Sequence, residues 1–337
     1  MMLAIHLGAF GRLLPSMRTV PATGPAGSSR GPASAGRKTT RTCTGRVPAA
    51  FCGVVGLKST NGLISRYAIM PRSWSQDTVG PLTRTAADCA RMTRVIAGAD
   101  PRDPTCSTRA VPNYESALND SIKGVKVGVP ANHYYDGATD EVRSAMEASL
   151  AVLRSAGARI REVRVPDPAR IFLLSNTISI SEAAVVHARW MRERPQDYSM
   201  YVRTRVEPGF HVPAPTYLEA LTLRSRYLEE FLQTVYGQVD VLHMPVLGMA
   251  VPTIAETEPQ ASGDVAGIVA RLTRNTRPTN YLGLPALSVP AGFSESGLPF
   301  AFQLMGRPFS EALLFRVAHQ YQRETGWHER VPDLPRQ

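Results

Sequence analysis

The chain has 337 residues, 43% apolar and 20% charged, and its 38 Lys and Arg against 28 Asp and Glu give a formal charge of +10. That length holds one large domain or two ordinary ones, and the composition excludes a disordered or fibrous chain. No uninterrupted apolar run approaches the roughly 18–20 residues of a membrane helix. The four cysteines (Cys43, Cys52, Cys89 and Cys106) form no C-x-x-C pair, so a reducing, cytoplasmic compartment fits better than a disulfide framework.

The positive charge sits at the start. Residues 1–76 carry ten Lys or Arg and no acid, while the remaining 28 basic residues are matched by 28 acidic ones. Such an arm suits a nucleic acid or a membrane surface. It also suits an organellar transit peptide, with Leu3, Leu7, Phe10 and Leu14 at helical spacing, or a poorly folded or wrongly defined N-terminus. No aromatic residues interleave with the arginines, which argues against a single-stranded nucleic-acid platform. Residues 1–45 read as a basic, Pro/Gly/Ser-rich, irregular segment. GSSRG at Gly27–Gly31 matches G-x-S-x-G in form only, because a nucleophile elbow needs a strand before it and a helix after it.

Arg46–Thr60, RVPAAFCGVVGLKST, is apolar and rich in small residues. Gly53 and Gly56 let backbone approach backbone, and the pattern suits strand, turn or packed loop, because a short apolar run fixes no period. Thr85 with Asp88 makes a capping box; Cys89, Met92 and Ile96 then share a face and Gly98 stops the run, which predicts a helix over 86–97. Asp100 and Asp103 in DPRDP are expected to shape a turn rather than perform acid–base chemistry.

Val125, Val127 and Val129 alternate as a strand ending at Pro130. Thr139 caps a helix with Val142, Ala145, Met146, Leu150 and Leu153 on its apolar face, closed by Gly157. Val163 and Val165 resume strand alternation, so a parallel crossover is expected. Residues 178–192 read as a buried helix in which His187 is a packing residue. Thr216 with Glu219 predicts a second capping box and a helix to Gly237, with Arg224, Arg226, Glu229 and Glu230 on its solvated face. VDVLHMPVL reads as a buried strand, RPTNYLGLPALSVPAGF holds a short strand, and Phe300, Phe302 and Leu304 alternate as another. Ser310 is expected to cap a last helix carrying Leu314, Val317, Ala318 and Tyr321, closed by Gly326. No repeat period is present, which excludes a solenoid.

RVPAAFCGVVGLKST, SWSQDTVGPLTRTAADCA with VIAGADPRDP, DVLHMPVL, RPTNYLGLPALSVPAGF, LPFAFQLMGRPFSE and TGWH follow one another between Arg46 and Pro332. Together they resemble the anchors of the amidase-signature family. The resemblance implies an α/β fold, a single domain with a large mixed β-sheet covered by helices, here residues 46–337 and incomplete at the N-terminus. It implies cleavage of amide bonds by a serine nucleophile, a second serine in a cis peptide and a neutral lysine, with glycine-loop N–H groups holding the oxyanion. The implied partner is a small-molecule amide; no cofactor and no metal are required, no membrane or nucleic acid is expected, and a homodimer is left open. The absence of H-E-x-x-H, C-x-x-C, Walker A and G-x-G-x-x-G motifs agrees with this.

The chain departs from the family pattern upstream of Arg46. Counting back from R-x-P-A-A-F puts the nucleophile on Thr44, where the family has serine. The loop G-T-D-x-G-G is replaced by Lys38–Cys43, KTTRTC. Ser28 stands where G-G-S-S-G-G would carry the bridging serine, about eight residues too close to Thr44. No lysine lies among the first 27 residues, and Lys38 and Lys58 fall on a loop glycine and on a structural position of the family pattern. The expectation is an amide hydrolase by descent with impaired activity. The alternatives are a non-catalytic remnant or binding protein on the same scaffold and, third, the A-type component of a glutamine-dependent tRNA amidotransferase. That component carries R-Y-D-G-V-R-Y-G, which has no counterpart between Leu173 and Gly237.

Overall fold

The computed structural model describes residues 45–257 and 265–332. The described chain begins with the stretch that the sequence left between strand, turn and loop, and it is none of these alone. Arg46–Phe51 is a helix (α1), and Val55–Lys58 is a strand (β1) whose four residues are all buried. Two glycines make the reversal between them. Gly53 sits at φ +61° just past the helix, where an L side chain is strained. At Gly56 a Cβ would stand 2.5 Å from the Ala49 methyl and 2.9 Å from the Gly45 carbonyl, so helix and strand touch only because it has none.

Seven strands form one mixed sheet in the order β2-β1-β6-β7-β5-β3-β4. The others are Leu82–Thr83 (β2), Lys126–Pro130 (β3), Arg159–Val163 (β4), Val241–Pro245 (β5), Ala286–Phe293 (β6) and Pro299–Gly306 (β7). β3 runs parallel to β4, as the crossover pattern predicts, and also to β5; the remaining pairs are antiparallel. Between Pro290 and Gly292 the ladder of β6 slips by a bulge, where proline can give no N–H.

Both faces of the sheet are covered, which explains why its central strands read as unbroken apolar runs. Leu57, Val127, Val241, Val289, Phe302 and Leu304 point to one face. There they meet Ala86–Ile96 (α2), Asp140–Ser155 (α3) and a C-terminal helix described below. Leu242, Met244, Ala286 and Met305 point to the other, against Pro168–Glu193 (α4) and, beyond Met200–Val206 (α5), Ala214–Thr234 (α6). Burying one such side chain is worth about 1.5–3 kcal/mol. By length and composition α4 could cross a membrane. Instead it buries Ile171, Ile178, Ala183 and Met191 within the protein. After Ile254–Thr257 (α7) and Val265–Thr273 (α8) come Arg277–Leu282 (α9) and Glu311–Arg323 (α10), the last covering the first face.

Several expectations are met in detail. Thr85 Oγ1 accepts the Asp88 N–H and donates to the Asp88 carboxylate, and the Thr139 side chain accepts the Val142 N–H. Asp100 and Asp103 do shape a turn: Asp100 takes Ser65 and Arg102, while Asp103 takes the Arg66 N–H and Thr105. His187 is buried with Nδ1 2.9 Å from the Tyr198 hydroxyl.

Others are corrected. Met92 is 41% exposed, because α2 buries the stripe of Ala86, Cys89, Ala90 and Thr93. α6 starts at Ala214 with Pro213 at its N-cap, so Thr216 caps nothing and Glu219 instead pairs with Arg170. Ser310 does occupy the N-cap of α10, but its hydroxyl bonds back to the Arg307 carbonyl. The segment 277–293 holds helix α9 before its strand, because Pro278 fits a first helical turn and Gly283 at φ +71° ends it.

Candidate active site

Thr44 and Ser28, the positions that the sequence assigns to the nucleophile and the bridging serine, lie outside the described residues. The described side of the site starts one residue later, at Gly45, which leads into α1. Arg46, the first residue of that helix, is fully buried. Its guanidinium donates to Gln303 Oε1 on β7, to Asn280 Oδ1 on α9 at 2.7 Å and to the Thr276 carbonyl at 2.8 Å. Gln303 Nε2 in turn donates to the Asn275 carbonyl, and Asn275 Nδ2 to the carbonyls of Tyr134 and Pro245. All these acceptors are neutral. With no carboxylate among the described residues to balance it, burial pushes the guanidinium down to about 9. The network fixes the chain direction two residues beyond position 44.

Lys58 is also buried. Its ammonium donates to the Ser59 carbonyl at 2.9 Å and to Asn61 Oδ1 at 3.2 Å. Burial, then Arg46 and Arg224, hold it well below the usual lysine range, partly opposed by Glu311. Glu311 accepts the Thr60 N–H at 2.7 Å, and burial raises its carboxyl. Lys58 thus packs beneath the site, tied to backbone and amide oxygens.

The loop 60–79 connects this layer to α4 and α6. Asn61 and Arg224 both donate to the Ser75 carbonyl, so Arg224 belongs to the interior and not to the solvated face that the sequence suggested; Arg226, Glu229 and Glu230 are exposed as expected. The fully buried Glu182 receives Ser73 Oγ at 2.6 Å, the Ser75 N–H and the Tyr217 hydroxyl. Gln76 and Ser175 exchange hydrogen bonds across the same junction. Arg72 and Arg277 reach α4 alongside, at Ser179 and Asn176. Sequence reasoning missed this layer, although the polar run SWSQD inside an otherwise apolar motif is the signal that could have found it. A cavity of about 290 Å3 opens on the outer side of the loop, lined by Tyr67, Met70, Trp74 and Arg102 among others, and includes no residue of the Arg46 network.

A serine–histidine contact lies in the core, away from the Arg46 network. His243 Nε2 is 2.9 Å from Ser149 Oγ inside the core, and the ring stacks on Phe302 at 4.6 Å. Neither residue reaches solvent, no carboxylate among the described residues orients the ring, and burial pushes the imidazole down to about 3. Among the described residues no three His, Cys, Asp or Glu side chains are grouped as a metal site.

The family described as Amidase matches residues 44–315. The chain is 37% identical over 341 residues to the A-type component of the glutamyl-tRNA(Gln) amidotransferase of Roseiflexus sp. (strain RS-1), covering 92% of this chain and 69% of that one. It is 38% identical over 291 residues to an amidase of Pseudomonas putida, covering 86% and 62%. The solved structure of the corresponding glutamyl-tRNA(Gln) amidotransferase component from Thermotoga maritima superposes with a TM-score of 0.69 at 30% identity, over 83% of this chain and 60% of that one. The chain therefore spans 60 to 69% of the length of these relatives. With the ordered motifs, the mixed sheet and the length of the match in agreement, this chain belongs to the amidase-signature family.

Proposed function

We propose that the chain descends from an amide-bond hydrolase and retains its scaffold, residues 46–337, with amide cleavage lost or strongly reduced. The observation that carries this is a contrast across Gly45. On one side the Arg46 network is intact; on the other, Thr44 stands at the nucleophile position behind KTTRTC instead of a glycine loop. In the family chemistry the nucleophile's oxygen attacks the amide carbon and its proton leaves through the bridging serine to a neutral lysine. The amine then departs and water hydrolyses the ester. A threonine hydroxyl can attack, but its extra methyl crowds the approach and it still needs the base. Side chains in place of loop glycines also hinder the close backbone approach that presents oxyanion donors, and one such donor is worth about 10²–10³ in rate.

The test is ammonia release from simple primary amides by the purified full chain. Turnover is expected to be orders of magnitude below the roughly 1–10³ s⁻¹ of working enzymes. Thr44→Ser is expected not to restore it, because the loop remains altered. Turnover above about 1 s⁻¹ by the native chain would show the account of position 44 to be wrong.

A second reading is favoured by the names of several relatives. The chain is 34–37% identical to A-type components of glutamyl-tRNA(Gln) amidotransferases, so a role within an amidotransferase assembly is the competitor. The missing R-Y-D-G-V-R-Y-G segment counts against it. Co-purification of further amidotransferase chains with this one from its own source would decide for it.

A further inference from the structure

Arg72 comes from the loop before β2 and Arg277 from the start of α9, yet both reach the same side of α4. Arg72 Nη1 donates to Ser179 Oγ at 2.5 Å, and Arg277 Nη1 to Asn176 Oδ1 at 2.6 Å. Residues 176 and 179 are neighbours on a helix surface, so the two guanidiniums are held against the same part of α4. The remaining side-chain bond of Arg277 runs from Nε to Thr273 Oγ1 at 2.8 Å, and the Phe172 ring lies 5.3 Å away. Every one of these partners is neutral. Burial first, then Arg72 and Arg205, push the Arg277 guanidinium down to about 9. Like charges drawn together out of water repel more strongly than they would in solvent.

Two acids at the same junction have partners of their own. Glu182 is taken by Ser73, Ser75 and Tyr217, and Asp77 Oδ2 receives the backbone N–H groups of Arg72 and Ser73. Among the described residues Arg277 Nη2 and Arg72 Nε and Nη2 meet no protein acceptor. Arg277 is also linked through the backbone to the Arg46 network. Arg277 follows Thr276, whose carbonyl holds Arg46, and Arg46 is two residues from position 44.

We propose that Arg72 and Arg277 form a subsite for a carboxylate carried by the amide substrate, one guanidinium to each oxygen. Asn176 and Ser179 hold the two side chains in place from below. This names the substrate class for the site argued above and rests on that reading: an amide whose other end is an acid. The Nη2 of each guanidinium is left to donate to one carboxylate oxygen, and a charge-assisted hydrogen bond of this kind is shorter and stronger than a neutral one.

Calorimetric titration of the full chain with adipic acid monoamide and with its methyl ester tests the subsite. At low salt the acid is expected to bind at least ten-fold more tightly than the ester. Arg72→Gln and Arg277→Gln should each abolish that preference, whereas Arg226→Gln on the exposed face of α6 should leave it unchanged. Arg277→Lys, which keeps the charge without the fork, should retain part of it and guards against a mere folding defect. Equal binding of acid and ester, no binding of the acid, or a preference that survives both Gln substitutions would overturn the proposal. Ammonia release measured alongside reports on position 44 alone, so failure of the hydrolase reading leaves the acid-over-ester comparison standing.

Discussion

Replacing Arg46 by Met asks whether the wall of the site is held by hydrogen bonds or by packing. The native guanidinium is fully buried and donates to Gln303, Asn280 and the Thr276 carbonyl. A hydrogen bond involving a charged group contributes about 1.5–3 kcal/mol net, so three contribute roughly 4.5–9 kcal/mol. Burial opposes this. It holds the group down to about 9 from 12.5, and at about 1.4 kcal/mol per pH unit the charged form is disfavoured by roughly 5 kcal/mol. Methionine keeps much of the stem volume, removes the charge and strands three acceptors. The difference between gain and loss is a destabilisation of about 2 kcal/mol, measurable by urea unfolding at pH 7. Arg46→Lys should be worse than Met, because it retains a buried charge while losing the fork that reaches three segments. If the Met variant is as stable as the native chain, the cost of burying the charge cancels the bonds and the network does not anchor α1. If Lys is tolerated, fork geometry is irrelevant.

Two further outcomes follow from the core. His243 is held near 3 when folded and has an ordinary value of about 6.5 when unfolded, so the unfolded chain takes up a proton that the folded chain refuses. The stability tied to this group is therefore fully present above pH 6.5 and is lost as the pH falls toward 3. Between pH 6.5 and 4.5 the loss is about 2.3 kcal/mol, and His243→Phe should flatten the urea-derived stability profile by that amount; parallel profiles for the two proteins would refute it. Gly56→Ala should cost about 2 kcal/mol or more, since the new methyl meets Ala49 and the Gly45 carbonyl. An unchanged urea midpoint would show that α1 and β1 are free to separate.

The sheet and most helices were legible because their signals are local or periodic. The Thr85 and Thr139 caps, the alternation at Phe300, Phe302 and Leu304, and the unbroken run at Val241–Pro245 each state their own structure. Two of the failures share a physical origin. Six residues are too few for a helical period to emerge, so α1 and α9 were hidden, and both are positioned by tertiary contacts rather than by propensity. Arg224 looked solvated because a charged residue on a long amphipathic helix usually is; its partner, the Ser75 carbonyl, lies 149 residues away in sequence. Arg46 meets Asn280 across 234 residues. A buried cation satisfied by a remote carbonyl leaves no trace in spacing, whereas a capping box does.

The same distinction bears on how a chain of this family can keep its fold while its chemistry changes. The bonds that orient α1 run from Arg46 to β7, α9 and the residue before α9, and from there through Asn275 to β5. All of them lie downstream of Gly45. On the function proposed above, the fold rests on that set, whereas amide cleavage would rest on position 44 and the loop before it. A change from serine to threonine at position 44 would then remove rate without withdrawing any of these hydrogen bonds. Thr44→Ser should accordingly leave the urea midpoint where it is. A large stabilisation by that single change would mean that the nucleophile position also carries part of the fold, and that fold and chemistry are coupled after all.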